Sequence, residues 1–232
     1  MKPKDLKFPF SWEERQVLLT DKVLYVPEYY DQYDQFQFPG WDDSSLFGNT
    51  QPVIVEYCSG NGTWIAEKAK ENPDQNWVAV EKRFDRVRKI WSKIKNENLN
   101  NLVVFCGEGF RLTQEYLPKG TVDQVYINFP DPWPKKRHAK HRIVQPLFIE
   151  QVYRILKPEG VITLVTDDVA YSEQMIEVLS GQEGMKSMHP APYFVNELEG
   201  YGTSYFDTLW RNKGRTIHYH QFQKQGMLHA VS

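Results

Sequence analysis

Val53-Ile54-Val55-Glu56-Tyr57-Cys58-Ser59-Gly60-Asn61-Gly62-Thr63 runs a β-branched stretch, an acid and a small-residue turn together. Val53 to Val55 reads as a buried strand ending at Glu56, Cys58 to Gly62 as a turn, and Thr63 to Lys70 as the following helix. The pattern recurs downstream. Trp77 to Glu81 predicts a second strand, and Arg83 to Asn96 a helix with Phe84, Val87, Ile90 (or Trp91) and Ile94 on one face. Leu102 to Cys106 and Val122 to Phe129 predict two more strands, and Gln145 to Leu156 a helix. Gly160 to Thr166 predicts a fifth strand and Ala170 to Leu179 a helix. Two candidate edge strands, around Met188 to Val195 and Thr216 to Gln223, bring the count to seven. Strands alternating with helices predict an α/β fold: a mostly parallel seven-stranded sheet with helices on both faces. The near-continuous Val/Ile runs fit strands covered on both sides.

Outside this pattern, residues 1–50 are irregular. Tyr25, Tyr29, Tyr30, Tyr33, Phe36, Phe38 and Trp41 alternate there with Asp, Gln, Pro and Gly, which reads as an aromatic-rich arm. The expected organisation is therefore an arm over 1–50 and one α/β domain over 51–232. A chain of 232 residues falls within the one-to-two-domain range. Lys plus Arg is 28 and Asp plus Glu 30, a net charge of −2, so no global positive charge draws it to nucleic acid. Any nucleic-acid role has to come from a local patch. Two cysteines, Cys58 and Cys106, cannot make a secreted disulfide framework. No signal-peptide pattern and no apolar run of about 18 residues is present, which predicts a cytoplasmic chain without a membrane span.

Ligands of parallel α/β sheets bind beyond the carboxyl ends of the strands. Acids stand at four such ends: Glu56, Glu81, Glu108 and Asp131. A pyrophosphate seeks helix N-termini and backbone N–H groups, and Glu56 beside the glycine turn would repel it. Gly60-x-Gly62 also lacks the third small residue of a dinucleotide fingerprint, because Ile65 stands there. S-adenosylmethionine fits better: its ammonium and ribose hydroxyls suit carboxylates, Glu81 taking the ribose, while Gly60 and Gly62 let backbone come close. The plainer alternative is that such acids cap the next helix.

Asn128-Phe129-Pro130-Asp131-Pro132-Trp133-Pro134 then Lys135-Lys136-Arg137-His138-Ala139-Lys140-His141-Arg142 carries the most chemistry. Three prolines make a rigid, non-helical projection that holds Asp131 beside Trp133. Directly after it, five Lys or Arg and two His occupy eight residues, a concentrated patch suited to phosphates. His138-x-x-His141 and His218-x-His220 lack partners for a metal site, so none is expected.

Asp131-Pro132-Trp133-Pro134-Lys135-Lys136-Arg137-His138, with Lys140 and Arg142, resembles the signature of bacterial tRNA (guanine-N7-)-methyltransferases, and the likeness runs from about Val53 to the C-terminus. The resemblance implies a Rossmann-like class I S-adenosylmethionine fold that methylates a guanine of the tRNA variable loop. It implies cofactor contacts at Glu56, Glu81, Glu108 and Asp131, with Asp131 as the catalytic acid. It implies tRNA contacts at Lys135, Arg137, His138, Lys140, Arg142 and Asp167. A late Thr-x-Tyr-Glu element would fall on Ser204-Tyr205-Phe206-Asp207, adding Ser204 and Asp207, with Trp210 and Gly214 at matching positions. The chain departs from the family at Cys58 (usually glycine), Glu108 (usually Asp), Gly109 (usually Ala), and at Ser204, Phe206 and Asp207. The expected partner is tRNA, and the protein a monomer or homodimer. Readings left open are a methyltransferase of another nucleic acid or a protein, and a non-catalytic RNA-binding module. A nicotinamide enzyme is disfavoured by Glu56 and Ile65.

Overall fold

Parallel pairing of buried strands organises the chain. The structure, a computed structural model, describes residues 1–226, and the chain divides into two compact units, Met1–Pro118 and a second from Lys119 onward.

The first unit contains β1 (Leu18–Thr20), β2 (Val23–Tyr25), β3 (Val53–Tyr57), α1 (Thr63–Glu71), β4 (Asn76–Glu81), α2 (Phe84–Glu97), β5 (Leu102–Cys106) and α3 (Gly109–Tyr116). Its strands lie in the order β1-β2-β5-β4-β3, parallel throughout except for β1. Ile54, Val55, Val78, Ala79 and Leu102 to Phe105 are all buried, as strands covered on both faces require. Helix α2 turns Val87, Ile90, Trp91 and Ile94 inward, the expected face with Phe84 at its half-exposed start, and packs on β4 and β5.

β1 and β2 lie inside the stretch read as irregular. Their turn places Asp21 and Lys22 at φ 51° and 66°, which residues with a Cβ adopt at a cost. Distant groups offset that cost. The Trp91 indole donates to Asp21 at 2.9 Å, the Lys95 ammonium pairs with Asp21, and the Lys22 ammonium donates to the Leu46 carbonyl. The arm's aromatics are anchored within the same unit: Trp41 stacks on Phe105 of β5 with centroids 6.2 Å apart, and Phe8 packs on Phe84 at the start of α2 at 4.6 Å.

The second unit contains β6 (Val122–Asn128), a 3-10 turn (Lys136–His141), α4 (Pro146–Ile155), β7 (Leu156–Thr166), α5 (Val169–Ser180), β8 (Met185–Ser187), α6 (Tyr205–Asn212) and β9 (His218–Lys224). Its strand order is β6-β7-β9-β8, with β6 parallel to β7 and the other pairs antiparallel. The edge strand expected over 188–195 is shorter and earlier. Pro190 and Pro192 remove two ladder donors there, and only Val195 makes a bridge, to Tyr219. The mostly parallel α/β architecture is as expected. The strand count is not: nine strands occur among the described residues, the additional two being β1 and β2. Helices α3 and α6, eight residues each, are too short to give a periodic signal in the sequence.

Inside the second unit, His220 is fully buried on β9. Its Nε2 lies 3.0 Å from the Ser172 hydroxyl and its Nδ1 3.2 Å from the Tyr193 carbonyl oxygen. Burial pushes its pKa down to about 4, and the nearby His218 and His189 act in the same direction. His218, stacked on Phe194 at 3.8 Å, is lowered by burial too. A depressed histidine favours the neutral ring, so its contribution is complete above the unfolded pKa of about 6.5. It is lost as the pH falls from there toward 4. We expect unfolding free energy to drop by about 2–3 kcal/mol more between pH 7 and 4.5 in the native protein than in His220→Gln. Urea titrations at the two pH values measure this, and parallel slopes for the two proteins would contradict it.

Candidate active site

The loops that carry candidate chemistry leave the carboxyl ends of parallel strands in each unit. In the first, β3 delivers Glu56, buried within the strand, and then the turn Cys58 to Gly62. Three residues of this turn have positive φ: Cys58 61°, Gly60 57° and Gly62 68°. Gly62 caps α1, and a Cβ there would lie 2.6 Å from Ile90 Cγ1, so close contact between turn and helix excludes any side chain. Cys58 holds a left-handed conformation without glycine's freedom, at a cost on the order of 1 kcal/mol.

Glu81 ends β4 and ties the neighbouring loops together. Its buried carboxylate accepts from the Gly60 N–H at 2.9 Å and the Arg83 N–H at 2.8 Å, with the Arg86 guanidinium 3.7 Å away. Glu56, Gly60, Gly62 and Glu81 are thus brought together around one turn. A carboxylate has about four lone-pair positions, so Glu81 keeps acceptor capacity for hydroxyl groups. Two buried acids beside positive-φ glycines suit a cationic ligand bearing a diol and oppose a pyrophosphate, so this donor set fits S-adenosylmethionine.

Glu108 stands apart. It is exposed and caps α3, accepting from Phe110 N–H at 3.0 Å and Arg111 N–H at 2.8 Å, which is the plain alternative noted for a strand-end acid. Sequence reading missed a cavity of about 400 Å³ beside Lys82 and Gly107, the residues that follow β4 and β5. Phe8, Phe10, Trp12 and Phe84 wall it, and the Lys82–Glu28 ion pair (2.9 Å) lines it too. Only the scattered aromatics of the arm hinted at it.

In the second unit, Asn128 ends β6 and pairs in register with Val165 of β7, so the loops holding Asp131 and Asp167 leave the same end. Phe129 and Trp133 have positive φ, 47° and 41°, on either side of Asp131. The exposed Asp131 carboxylate accepts from the Trp133 N–H at 3.2 Å. Trp133 packs against His138 and His141, with centroids 5.9 and 5.2 Å away, folding the basic turn back on the proline segment. Lys135, Arg137 and Lys140 are exposed, and His138 half-buried beside Arg137.

Arg142 differs from its basic neighbours. It is 8% exposed, donates to the Pro132 carbonyl at 2.7 Å and to Gln174 at 2.6 Å, and stacks over Tyr171. Its cation braces the loop from inside.

Asp167 is ion-paired with Arg215, whose guanidinium lies over the Trp210 ring. Ser204 caps α6 by accepting from the Asp207 N–H at 3.1 Å. Asp207 is buried, and its carboxylate accepts from Arg211 Nε at 2.9 Å and from the Tyr219 hydroxyl. Burial first, then this hydrogen bond, pushes the Tyr219 pKa up to about 12. Ser204 therefore caps α6, and Asp207 clamps it onto β9. Among the described residues no group of three or more His, Cys, Asp or Glu could hold a metal, and no helix is long and apolar enough to cross a membrane.

Comparisons with known proteins show the family and the fold. Residues 50–220 match the family described as "Putative methyltransferase". The tRNA (guanine-N(7)-)-methyltransferase of Chlamydia felis is 48% identical over 97% of this chain and 98% of its own length. That of Chlamydia abortus is 46% identical over 97% and 99%. Among solved structures, a 30S ribosomal A1408 methyltransferase from an uncultured bacterium aligns with a TM-score of 0.53 and 16% identity, over 77% of this chain and 90% of that one, a likeness of fold.

The bracing by Arg142 predicts a stability phenotype. Arg142→Ala should lose about 2–4 kcal/mol, having removed hydrogen bonds from a charged group and a stacked cation. Lys140→Ala should unfold within about 0.5 kcal/mol of the native protein. Chemical denaturation distinguishes them, and equal midpoints would show that Arg142 does not brace the loop.

Proposed function

The chain belongs to the tRNA (guanine-N(7)-)-methyltransferase family, and on that premise we propose that it methylates N7 of a guanine in the tRNA variable loop, using S-adenosylmethionine. The observation that carries this reading is the Asp131 loop of the second unit: an exposed carboxylate in a strained, proline-framed segment, with Lys135, Arg137 and Lys140 exposed directly behind it. S-adenosylmethionine supplies an electrophilic methyl group on a sulfonium. Glu56 and Glu81 would hold its cationic and hydroxyl groups, and Gly60 and Gly62 would let backbone approach it. Glu108, if it joins them, does so while capping α3. We read the aromatic wall of the neighbouring cavity as part of the same compartment, with residues 1–50 as an arm over a methyltransferase body of residues 51–232.

Guanine N7 carries an unshared pair in the neutral base, so no residue has to remove a proton before it attacks. The chain's task is to expose the base and hold it. Guanine's Watson–Crick edge offers N1–H and N2–H₂ donors, and an ionised carboxylate accepts both. Asp131 would hold that edge and offset the positive charge that develops on the methylated ring. Asp167 is a second candidate for the edge once Arg215 shares it. Ser204 and Asp207 would act by positioning α6, and Arg142 by holding the Asp131 loop. Lys135, Arg137 and Lys140 would neutralise tRNA phosphates, with His138 beside them. We read the protein as cytoplasmic, acting as a monomer or homodimer.

Asp131→Ala should lower turnover by at least about 100-fold while tRNA affinity changes little, since it removes charge stabilisation and not phosphate contacts. Single-turnover assays paired with filter binding test this. Turnover within a few-fold of the native protein would reassign the residue. Replacing Lys135, Arg137 and Lys140 by Gln should weaken tRNA binding and flatten its dependence on salt by about 0.7–0.9 in log–log slope per lost contact. An unchanged slope would move the patch elsewhere. Mapping of methylated nucleosides in treated tRNA tests the reaction itself.

A further inference from the structure

The aromatic-rich arm forms a second concave surface, which the reading above leaves without a role. Asp31, Tyr33, Asp34, Phe36, Gln37 and Glu115 line an open groove of about 460 Å³, within the size range of small-ligand sites. The arm supplies the first five, and the last turn of α3 supplies Glu115. Tyr116, next along α3, meets Tyr33 and Phe36 with ring centroids 6.4 and 5.6 Å apart, and Tyr30 meets Tyr33 at 6.1 Å.

Negative charge gathers here with little to answer it. Asp31 and Asp34 are exposed, and among the described residues no cation pairs with either. Glu115 has the Arg111 guanidinium at 3.5 Å, in the order Arg before Glu that opposes the helix dipole. The last turn of α3 holds no basic residue, so its carbonyl end adds to the negative potential around Glu115. Tyr116 is 4% exposed, and its buried hydroxyl has no hydrogen-bond partner. Burial raises its pKa, and Tyr30, Glu115, Tyr33 and Asp34 act in the same direction, which places two of the groove's carboxylates near that hydroxyl. A buried hydroxyl without a partner is costly, and an ammonium drawn in between the acids offers it a donor.

Rings beside acids select organic cations: carboxylates accept from ammonium groups, and ring faces attract them. Arg111 already shows the fit, its guanidinium lying over the Tyr33 ring 5.2 Å from the centroid. A metal ion suits the groove less well, because among the described residues no group of three or more His, Cys, Asp or Glu could hold one. Three carboxylates spread around one groove instead match positive charges spaced along a flexible chain. A basic protein partner would need a wider surface than this groove supplies.

We propose that the groove between residues 31–37 and the end of α3 binds a linear polyamine, whose ammonium groups pair with Asp31, Asp34 and Glu115 while its methylene chain lies on Tyr33 and Phe36. The site stands on the first unit alone and does not depend on the methyl-transfer reading. Calorimetric titration of the full chain with spermidine tests it. One spermidine should bind per chain at low salt, and the melting temperature should rise with its concentration. Asp31→Asn with Asp34→Asn, both at exposed positions, should weaken that binding about 10-fold or more while unfolding without spermidine stays unchanged. Tyr116→Phe should be at least as stable as the native protein yet bind spermidine several-fold more weakly, a split that a purely structural hydroxyl would not show. Magnesium chloride should displace spermidine no better than sodium chloride at equal ionic strength. Absence of saturable binding to the native protein, or native affinity in either variant, would overturn the site. So would displacement by magnesium beyond that of sodium, or capture of a Lys- and Arg-rich peptide where spermidine does not bind. Each of these failures leaves the methyltransferase reading standing.

Discussion

Parallel pairing is the constraint on which everything else depends. A strand that returns parallel to its neighbour must be joined to it by a crossover, so every loop after such a strand leaves from one end of the sheet. In the first unit this sets Glu56, the glycine turn and Glu81 side by side, because Glu56 and Tyr57 of β3 sit in register with Ala79 and Val80 of β4. The buried Glu81 carboxylate then locks the arrangement through the Gly60 and Arg83 N–H groups. In the second unit the same rule puts the Asp131 and Asp167 loops at one end of β6 and β7.

Charge is then divided between groups committed to the fold and groups that face solvent. Arg142, Asp207 and Glu108 are spent on the fold: a brace under a proline loop, an anchor for α6, a cap for α3. Lys135, Arg137, Lys140 and Asp131 remain exposed. A rigid loop needs internal partners for its backbone carbonyls, and a long guanidinium is well suited to satisfy one from inside. A segment of uniformly basic composition thus mixes a structural cation with solvent-facing ones, and composition does not distinguish them.

The α/β order was legible because runs such as Val53–Val55 and Leu102–Cys106 are buried on both faces and punctuated by glycine, asparagine or acid turns. The strand-end acids were legible for the same reason: an acid closing an apolar run marks where the run leaves the core. Helices α3 and α6 were not, since eight residues give barely two turns of periodicity. β1 and β2 were hidden because three-residue strands carry no pattern, and their turn is held by Trp91, Lys95 and Leu46 from far along the chain.

What the sequence by itself determined is therefore the alternation of strands and helices, the acids at strand ends, and the proline-framed Asp131 loop with its basic follower. All of these are local: periodicity, punctuation by proline and glycine, and charge along a short segment. What only the tertiary structure decided is which of those charges are committed. Arg142 turns inward onto Pro132 and Gln174, Asp207 meets Tyr219, and Arg215 reaches Asp167 across 48 positions. Such pairings depend on which distant groups the sheet brings within hydrogen-bonding distance, and no short-range pattern encodes that distance.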